Sequence, residues 1–243
     1  MEQIFYGGSG AKIYKNGNIL IKEDNSNRIN AQALKQIFFY SICKGKFLVP
    51  KVLFLEGFSV HMEFVENASE LSKNSNPQRF AEVRDFFVKT LLPYSVECSL
   101  DKDIFVKKLN SIKGLPHSCI EVASDFLDSI ERFNYLFGLN HGDFTTKNIL
   151  FDGNKYYLID FLNSFIESPL MDYSKLFQEL IIKGDNLDKY IEAVGLREDF
   201  KNYKDFINAS SLFNFLRMYP YLKNEEDREK ISSIIRGKKW IIA

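Results

Sequence analysis

Three side chains that carry oxygen atoms, Asp143, Asn148 and Asp160, lie close together in the second half of the sequence. Asn148 is five positions after Asp143, and a polar loop of that length can turn both side chains toward one point. After Asn148 come two short apolar runs, which are separated by the turn-forming residues Asp152-Gly153-Asn154. We therefore expect a β-hairpin that returns Asp160 to the neighbourhood of Asn148.

These residue types match the needs of phosphoryl transfer. One carboxylate can orient a hydroxyl group and accept its proton, while a second carboxylate and an amide oxygen can hold a magnesium ion. Because magnesium usually keeps waters and binds substrate phosphates, two oxygen ligands from the protein are sufficient. Asn148 and Asp160 are the two ligands that the expected hairpin brings together. A solvated turn residue without a chemical role is the alternative for any one of them.

Four elements, in this order, resemble the aminoglycoside phosphotransferase and choline kinase branch of the protein-kinase-like superfamily. They are His141-Gly142-Asp143, Asn148, Ile159-Asp160-Phe161 and Asp172. The resemblance implies that Asp143 is the catalytic base and that Asn148 and Asp160 bind Mg2+. It also implies that His141 supports the loop backbone and that Asp172 braces the carboxyl-terminal lobe. Asp172 could also cap the helix that follows it.

The amino-terminal segment contains a glycine-rich turn and a lysine that suit a nucleotide site. Gly7, Gly8, Ser9 and Gly10 lie between two short apolar segments, and glycines let backbone N–H groups approach phosphates closely. A glycine-rich hairpin turn that binds nothing is the alternative for this segment taken alone. Lys22 ends an apolar strand, where a charged head group needs a partner. The resemblance implies that Lys22 contacts the α- and β-phosphates of ATP.

The helix expected over residues 27–44 departs from the family pattern, because it contains no acidic residue. In the family, a glutamate on this helix usually holds the phosphate-binding lysine. Gln32 and Gln36 are the polar residues at a suitable distance from Lys22, but a glutamine oxygen accepts a hydrogen bond without adding a countercharge. We therefore expect a weaker pairing of Lys22, and the sequence leaves open which glutamine meets it.

A second hairpin is expected from residues 51–55 and 58–65, which alternate like strands on either side of Glu56-Gly57. In the family, this hairpin leads into the hinge whose backbone binds the adenine ring. The resemblance therefore implies that the segment from Glu63 to Glu66, with Glu63 and Val65 in particular, belongs to the nucleotide site.

The composition argues against several other classes of protein. The 32 basic and 32 acidic residues balance to zero net charge and no basic stripe is visible, so a nucleic-acid partner is not expected. Three widely spaced cysteines indicate a reducing cytoplasm, and neither a disulfide framework nor a zinc site. No signal-peptide pattern opens the sequence, and no apolar run approaches the ~20 residues of a membrane span. We therefore expect a cytoplasmic protein.

The expected fold is α+β: a bilobal protein-kinase-like fold with a small antiparallel-sheet N-lobe and a mostly helical C-lobe. Residues 1–66 would form the nucleotide-clamp lobe, and residues 67–243 the catalytic and acceptor-binding lobe. A helix start is expected at residues 67–70. Further helices are expected over residues 77–91, 101–112, 118–137, 172–183, 187–194, 198–216 and 225–235.

The expected function is ATP- and Mg2+-dependent transfer of the γ-phosphoryl group to a hydroxyl of a small metabolite, namely a sugar, a sugar acid or an amino alcohol. An aminoglycoside-type antibiotic kinase would use the same chemistry. A pseudokinase that binds a nucleotide or a partner without turnover is the alternative from another class, and the acid-free helix favours it. A protein kinase is disfavoured, because Asp160-Phe161-Leu162 lacks the usual glycine and the segment up to Asp172 is short for an activation loop.

Acceptor specificity is expected in the helices beyond Asp160. Spacing alone does not separate ligand-binding side chains there from core side chains or solvated ones, and the sequence leaves the oligomeric state open. The candidates are Asp185, Asp188, Glu192, Phe213, Phe215, Arg217, Tyr219, Tyr221 and Trp240.

Overall fold

The structure, a computed structural model, describes residues 2–6, 11–24, 28–73, 76–183 and 200–241. Within these ranges the chain forms seven α-helices and eleven short strands. The helices are α1 (Arg28–Ile42), α2 (Pro77–Phe86), α3 (Asp103–Ser111), α4 (His117–Asp128), α5 (Pro169–Lys183), α6 (Lys204–Met218) and α7 (Glu225–Arg236). The strands are β1 (Glu2–Tyr6), β2 (Lys12–Asn16), β3 (Ile19–Glu23), β4 (Phe47–Leu48), β5 (Val52–Glu56), β6 (Ser59–Glu63), β7 (Ser69–Glu70), β8 (Val96–Asp101), β9 (Arg132–Phe137), β10 (Ile149–Phe151) and β11 (Tyr156–Leu158).

The chain divides into two compact units. The first consists of Met1–Ser75 together with His141–Phe165, and the second of Asn76–Asn140 together with Ile166–Ala243. The first unit contains the amino-terminal sheet and the expected catalytic hairpin, so it holds every predicted site residue that the structure describes. The lobe boundary at residue 66 stays a prediction.

A five-stranded antiparallel sheet in the first unit has the order β1-β2-β3-β6-β5. The hairpin expected over residues 51–65 is present in it as β5–β6, and the hairpin β2–β3 carries Lys22. Helix α1 packs on one face of this sheet, where Ile29 and Ala33 form a buried cluster with Val60 and Met62. Lys22 lies opposite Val60 in the strand register, so its side chain points to the same face. This register explains why a lysine is almost fully buried there.

A second, four-stranded sheet in the first unit has the order β4-β11-β10-β7. Its central pair is the hairpin expected after Asn148, with Ile149 opposite Leu158 and both side chains fully buried. The pairing continues by one step beyond the strands, because the Ile159 N–H donates to the Asn148 carbonyl at 3.0 Å. The hairpin therefore places Asp160 next to Asn148, as expected.

Among its described residues, the second unit contains six α-helices and the antiparallel hairpin β8–β9. Its core is rich in phenylalanine rings, of which Phe105 contacts Phe133, Phe206 and Phe213. Several acceptor candidates belong to this core, since Phe213, Phe215 and Trp240 have no exposed surface and Tyr219 is buried, whereas Tyr221 is exposed. The expected helix over 187–194 lies outside the described residues, and so do Asp185, Asp188 and Glu192.

The helix expected over residues 118–137 is wrong in its second half. Helix α4 ends at Asp128, and β9 pairs with β8 from Asp101 opposite Arg132 to Val96 opposite Phe137. The helix expected to begin at Asp101 therefore begins later, at Asp103. In β9, buried side chains alternate with exposed ones, which is the period of a strand. The apolar spacing of residues 132–137 is compatible with either a helix or a strand. The pairing with β8 makes this segment a strand.

Two smaller expectations are also wrong. The helix start expected at residues 67–70 is instead strand β7, which pairs with β10. Asp172 does not cap its helix, because α5 begins three residues earlier and Asp172 is buried in its first turn. The cap is Ser168, whose Oγ accepts the Leu170 N–H at 3.2 Å. Asp172 as a brace stays a prediction.

Two features bear on the expectations from composition. All three cysteines are free, and burial raises the pKa of the Cys43 thiol to about 12 and also raises the pKa of Cys119. No helix in the described ranges is both long enough and apolar enough to cross a lipid bilayer.

Candidate active site

The loop between Asp143 and Asn148 folds into a tight turn that brings the two side chains together. The Asn148 Nδ2 donates to the Asp143 carbonyl at 2.8 Å and to the Asp143 Oδ2 at 3.0 Å. Two backbone bonds, from Thr145 N–H to the Asp143 carbonyl and from Asn148 N–H to the Thr145 carbonyl, close the turn. Because the amide nitrogen of Asn148 is committed to Asp143, its amide oxygen is the atom available for a cation.

His141 ties this loop to the strand that carries Asp160. The ring is fully buried, with Nε2 at 2.7 Å from the Ile159 carbonyl and Nδ1 at 3.3 Å from the Asp143 backbone nitrogen. The Nε2–H therefore donates to Ile159, and Nδ1 accepts the Asp143 N–H. Burial lowers the pKa of His141 to about 4, so the ring is neutral at physiological pH and keeps this tautomer.

Gly142 allows the loop that carries Asp143 to lie directly against the chain after Asp160. Its φ is +89°, a conformation that side chains with a Cβ rarely adopt. A Cβ at this position would overlap the carbonyl oxygen of Leu162, whose N–H donates to the His141 carbonyl at 2.9 Å. The glycine is therefore required both by the backbone conformation and by the close approach of the two segments.

Asp160 lies at the end of the hairpin in a left-handed conformation, with a φ of 61°. Left-handed residues other than glycine are uncommon, and such conformations occur often at functional sites. The Asp160 Oδ1 accepts a hydrogen bond from the Lys22 Nζ at 2.7 Å. The lysine side chain is almost buried, whereas the aspartate side chain remains 46% exposed and open to a ligand.

The segment after Asp160 is anchored to helix α1. The Phe161 ring is buried between the rings of Phe39 and His141, with centroids 4.9 and 4.4 Å away. The Lys35 Nζ, also on α1, donates to the Leu162 carbonyl at 2.8 Å. These contacts hold α1 against the segment that follows Asp160, the candidate metal ligand. None of them uses an acidic side chain of the helix.

Neither glutamine of α1 bonds Lys22 among the described residues. The Gln36 Nε2 donates to the Pro50 carbonyl at 2.7 Å and lies 3.6 Å from the Met62 Sδ, so this side chain holds the helix to the sheet. The Gln32 Oε1 is buried and has no hydrogen-bond partner in the described part of the chain. Lys22 is paired with Asp160 instead, a contact that the sequence interpretation missed because it joins residues 138 positions apart.

A cavity of about 450 Å3 brings most of the predicted residues together. Its polar lining includes Lys22, Gln32, Asn148 and Asp160, and its apolar lining includes residues of the five-stranded sheet, of α1 and of the hairpin that carries Asp160. Glu63 and Val65 also line it, whereas Asp143 reaches the site through Asn148. Gly7, Gly8, Ser9 and Gly10 lie outside the described residues.

Two lysines in the cavity wall were not among the predicted residues. Lys73 and Lys147 are both exposed, and Lys147 lies inside the loop between Asp143 and Asn148. The sequence contains a usable signal for Lys147, because this cationic residue lies between two candidate site residues. The sequence contains no comparable signal for Lys73. It follows strand β7, a segment for which the sequence predicts a helix start.

The residues present fit a nucleoside triphosphate and a magnesium ion. A cavity of this volume with mostly apolar walls and a few converging polar groups is typical of a small-molecule site. The orphaned Gln32 oxygen needs a donor there. No cluster of three or more His, Cys, Asp or Glu side chains suited to a metal occurs in the described ranges. A hard cation held by Asn148, Asp160 and phosphate oxygens agrees with this donor set.

Solved structures with the same fold include small-molecule phosphotransferases. A choline/ethanolamine kinase family protein from Mesorhizobium loti has a TM-score of 0.60 and 13% identity over 93% of this chain and 84% of its own. The choline kinase LicA from Streptococcus pneumoniae has a TM-score of 0.57 and 14% identity over 98% of this chain and 92% of its own. A ternary complex of a thermostable mutant of aminoglycoside phosphotransferase APH(4)-Ia with ADP and hygromycin B has a TM-score of 0.61 and 12% identity over 99% and 92%. The protein-kinase-like α+β fold is therefore confirmed.

The sequence comparison identifies the family. No curated protein sequence matches the chain. The model of the ecdysteroid kinase-like family matches residues 58–192, a stretch that includes Glu63, Asp143 and the whole hairpin between Asn148 and Asp160. Together with the fold, this match supports a phosphotransferase that acts on a small molecule. Because the match covers more than half of the sequence, this chain belongs to the ecdysteroid kinase-like family.

Proposed function

We propose that this protein transfers the γ-phosphoryl group of ATP, in a Mg2+-dependent reaction, to a hydroxyl of a small metabolite. The observation that carries the proposal is the convergence of Asp143, Asn148, Asp160 and Lys22 within one compact unit. A carboxylate, an amide oxygen, a second carboxylate and a buried lysine are the groups that this chemistry uses. Family membership and fold support the same reaction class.

Each side chain has a role that follows from its position. The Asp143 carboxylate accepts the proton of the attacking hydroxyl, and its bond from Asn148 fixes the direction in which it points. Lys22 turns from Asp160 to the α- and β-phosphates, and Glu63 and Val65 contribute backbone contacts to the adenine. The family resemblance assigns Gly7, Gly8, Ser9 and Gly10, which lie outside the described residues, to the phosphates. Magnesium, when bound to Asn148 and Asp160, neutralises phosphate charge.

The acceptor class that we favour is a sugar, a sugar acid or an amino alcohol. An aminoglycoside-type antibiotic kinase is the alternative within the same chemistry. Of the described acceptor candidates, Phe213, Phe215 and Trp240 belong to the core. The family name adds an ecdysteroid to the acceptors to be tested.

A panel of acceptors tests the proposal. Transfer from ATP-Mg would be measured with sugars, sugar acids, choline and other amino alcohols, hygromycin B and an ecdysteroid, and Asp143→Asn would serve as the blank. We expect transfer to at least one acceptor and its loss in the variant. Transfer that persists unchanged in Asp143→Asn would contradict the assigned base.

A pseudokinase is the second candidate, and one observation favours it. Lys22 is paired with Asp160, and α1 offers it no acidic partner in its place. In a pseudokinase, ATP would bind without magnesium-dependent turnover. Magnesium-dependent hydrolysis of ATP in the absence of acceptor, lost in Asp160→Ala, would exclude this candidate. ATP binding without transfer or hydrolysis would favour it over the enzyme.

The cytoplasm is the compartment that we propose, because three free cysteines suit a reducing environment. The proposed partner is the small-molecule acceptor. The balanced charge supports the absence of a nucleic-acid partner.

A further inference from the structure

Two cationic side chains in the wall of the active-site cavity have no role in the proposed phosphoryl transfer. Lys73 and Lys147 both line this cavity, and both are exposed. Within the described part of the chain, neither side chain forms a hydrogen bond or an ion pair. The third lysine of the lining, Lys22, differs from them because it is almost buried and bonds Asp160. Lys73 and Lys147 are here named the lysine pair.

The backbone brings the lysine pair together at one edge of the four-stranded sheet. Strand β7 pairs with β10, with Glu70 opposite Leu150. Beyond the two strands, the Ser72 N–H donates to the Thr146 carbonyl at 3.1 Å. Each lysine of the pair is the residue that follows one of these two bonded groups, so both belong to the same stretch of the cavity wall.

The lysine pair lies on the opposite side of Asn148 from Asp160. In the sheet order, β10 lies between β7 and β11 and is antiparallel to both. Asn148 precedes β10, Asp160 follows β11 and Lys73 follows β7, so the three positions are at one end of the sheet. Because neighbouring strands are ~4.8 Å apart, roughly 10 Å separates the strand ends that lead to Lys73 and Asp160. The pair is therefore a second cationic position, distinct from Lys22.

The carboxylates of the cavity do not neutralise the lysine pair. Besides Asp160, the acidic residues of the lining are Glu63 and Glu70. The Glu63 Oε2 accepts the Lys51 N–H at 3.0 Å. The Glu70 Oε2 accepts the Ser72 hydroxyl at 2.8 Å. Since two neighbouring ammonium groups repel each other, an anion held between them would stabilise both.

We propose that the lysine pair binds an anionic group of the acceptor, which is therefore a small hydroxylated carboxylate or phosphate. This inference rests on the proposed phosphotransferase function and narrows its acceptor class. At the Asp160 end, Lys22 and magnesium serve the nucleotide phosphates, which leaves the pair for another anion. Lysine amines bind carboxylate and phosphate oxygens through charge-assisted hydrogen bonds. The same charges disfavour amino alcohols and aminoglycosides, which are cations.

The position of Lys147 suits this role. It lies in the same short loop as Asp143, four positions further along the chain. One loop would thus hold both the attacking hydroxyl, at Asp143, and the anionic group of the same acceptor. Part of the acceptor specificity would then belong to the first compact unit, which contains both lysines.

Acceptors that share one sugar ring and differ in charge test the proposal. Transfer from ATP-Mg would be measured to glucuronate, glucose 6-phosphate, glucose and glucosamine. We expect kcat/KM to be at least about 10-fold higher for an anionic sugar than for glucose, and to be lowest for the cationic glucosamine. Lys73→Gln and Lys147→Gln should each lower kcat/KM for the anionic sugar about 10-fold more than for glucose, mainly through KM.

Lys44→Gln is the matched control. Lys44 is also an exposed lysine of the first unit, but it does not line the cavity. Its substitution changes the net charge by the same amount as the other two variants. It should leave kcat/KM for every acceptor within about 2-fold of the wild-type value.

A binding measurement tests the lysine pair even if none of these sugars is phosphorylated. The melting temperature of the full chain, loaded with Mg2+ and a non-hydrolysable ATP analogue, would be followed against inorganic phosphate at constant ionic strength. We expect a phosphate dissociation constant of about 1–10 mM. It should rise about 10-fold in Lys73→Gln and in Lys147→Gln and stay unchanged in Lys44→Gln.

Three results would overturn the proposal. The first is phosphate binding that is absent, or is equal in the wild type and both cavity variants. The second is transfer to glucose that is as efficient as transfer to either anionic sugar. The third is a rise of the ATP-Mg dissociation constant in the variants without a change of preference among acceptors, because the pair would then serve the nucleotide. Phosphate binding through the pair without any transfer or hydrolysis of ATP would support the anion site and contradict the proposed function.

Discussion

His141 holds two parts of the candidate site with one neutral ring. The Asp143 N–H and the Ile159 carbonyl lie on opposite sides of it, so a single buried side chain sets the distance between the catalytic loop and the hairpin strand. A protonated ring would have to donate at both nitrogens, and it would then face the Asp143 N–H with a second donor. Neutrality of His141 is therefore a structural requirement of the site.

If His141 must be neutral in the folded chain, the free energy of unfolding should depend on pH. The pKa of His141 is about 4 in the folded chain, below the ordinary 6.5, so the unfolded chain takes up the proton first. Stability should therefore fall as the pH drops from about 6.5 to about 4, by roughly 3 kcal/mol from this residue. Urea unfolding across this range measures it in the wild type and in His141→Gln, which lacks the titrating ring.

The exposed His117 provides the control for that experiment. His117→Gln should leave the free energy of unfolding within about 0.5 kcal/mol of the wild-type value, because the His117 side chain is 85% exposed. If His141→Gln and the wild type lose stability in parallel between pH 6.5 and 4, the neutral buried ring is not the cause.

A second prediction for a single residue concerns Gly142. Gly142→Ala should lower the free energy of unfolding by about 3 kcal/mol or more, because it adds a backbone strain and an overlap with the Leu162 carbonyl. Gly153→Ala is the matched variant, since Gly153 also has a positive φ, +103°, but an added Cβ there meets nothing within 4 Å. It should cost only the conformational part, about 1 kcal/mol. Equal losses in the two variants would refute the close approach.

Helix α1 is positioned by hydrogen bonds to backbone carbonyls and by ring contacts. Gln36 bonds the Pro50 carbonyl, Lys35 bonds the Leu162 carbonyl, and Phe39 packs on Phe161. An acidic residue on this helix would compete with Asp160 for Lys22. Without one, Lys22 pairs with the aspartate that we propose as a metal ligand, and ligand binding has to exchange that partner.

The two glutamines of α1 should respond oppositely to substitution. Gln36→Met should lower the free energy of unfolding by about 1–3 kcal/mol, because the Pro50 carbonyl loses its buried donor. Gln32→Met should be neutral or slightly stabilising, because it removes a buried oxygen that has no partner in the described residues. Urea unfolding of the two variants without nucleotide measures this difference. A larger loss for Gln32→Met would contradict the assigned roles.

Elements whose sequence pattern is local were predictable, whereas elements that depend on contacts between distant residues were not. The hairpin after Asn148 was predicted because its turn residues and two apolar runs are adjacent in sequence. Strand β9 was mistaken for helix because only its pairing with β8 distinguishes the two periods. The Lys22–Asp160 pair and the anchoring of α1 depend on tertiary packing, so the identities of these groups are predictable from the sequence but their partners are not.

At the scale of the whole molecule, ligand binding should raise the melting temperature. ATP-Mg at 100 times its dissociation constant adds about 2.7 kcal/mol, which corresponds to a rise of roughly 5–10 °C for a chain of this size. Differential scanning fluorimetry with ATP, with and without EDTA, measures this effect. Asp160→Asn should abolish the magnesium-dependent part. An equal rise in the variant would contradict the assignment of Asp160 as a metal ligand.

The most direct test of the central claim separates chemistry from binding in one variant. The rate of γ-phosphoryl transfer and the dissociation constant of ATP-Mg would be measured for the wild type and for Asp143→Asn. We predict that transfer falls by about 10²–10⁴-fold, the usual contribution of a general base, while the ATP dissociation constant changes less than about 3-fold. Turnover by Asp143→Asn within a few-fold of the wild type would contradict the proposed phosphotransferase mechanism.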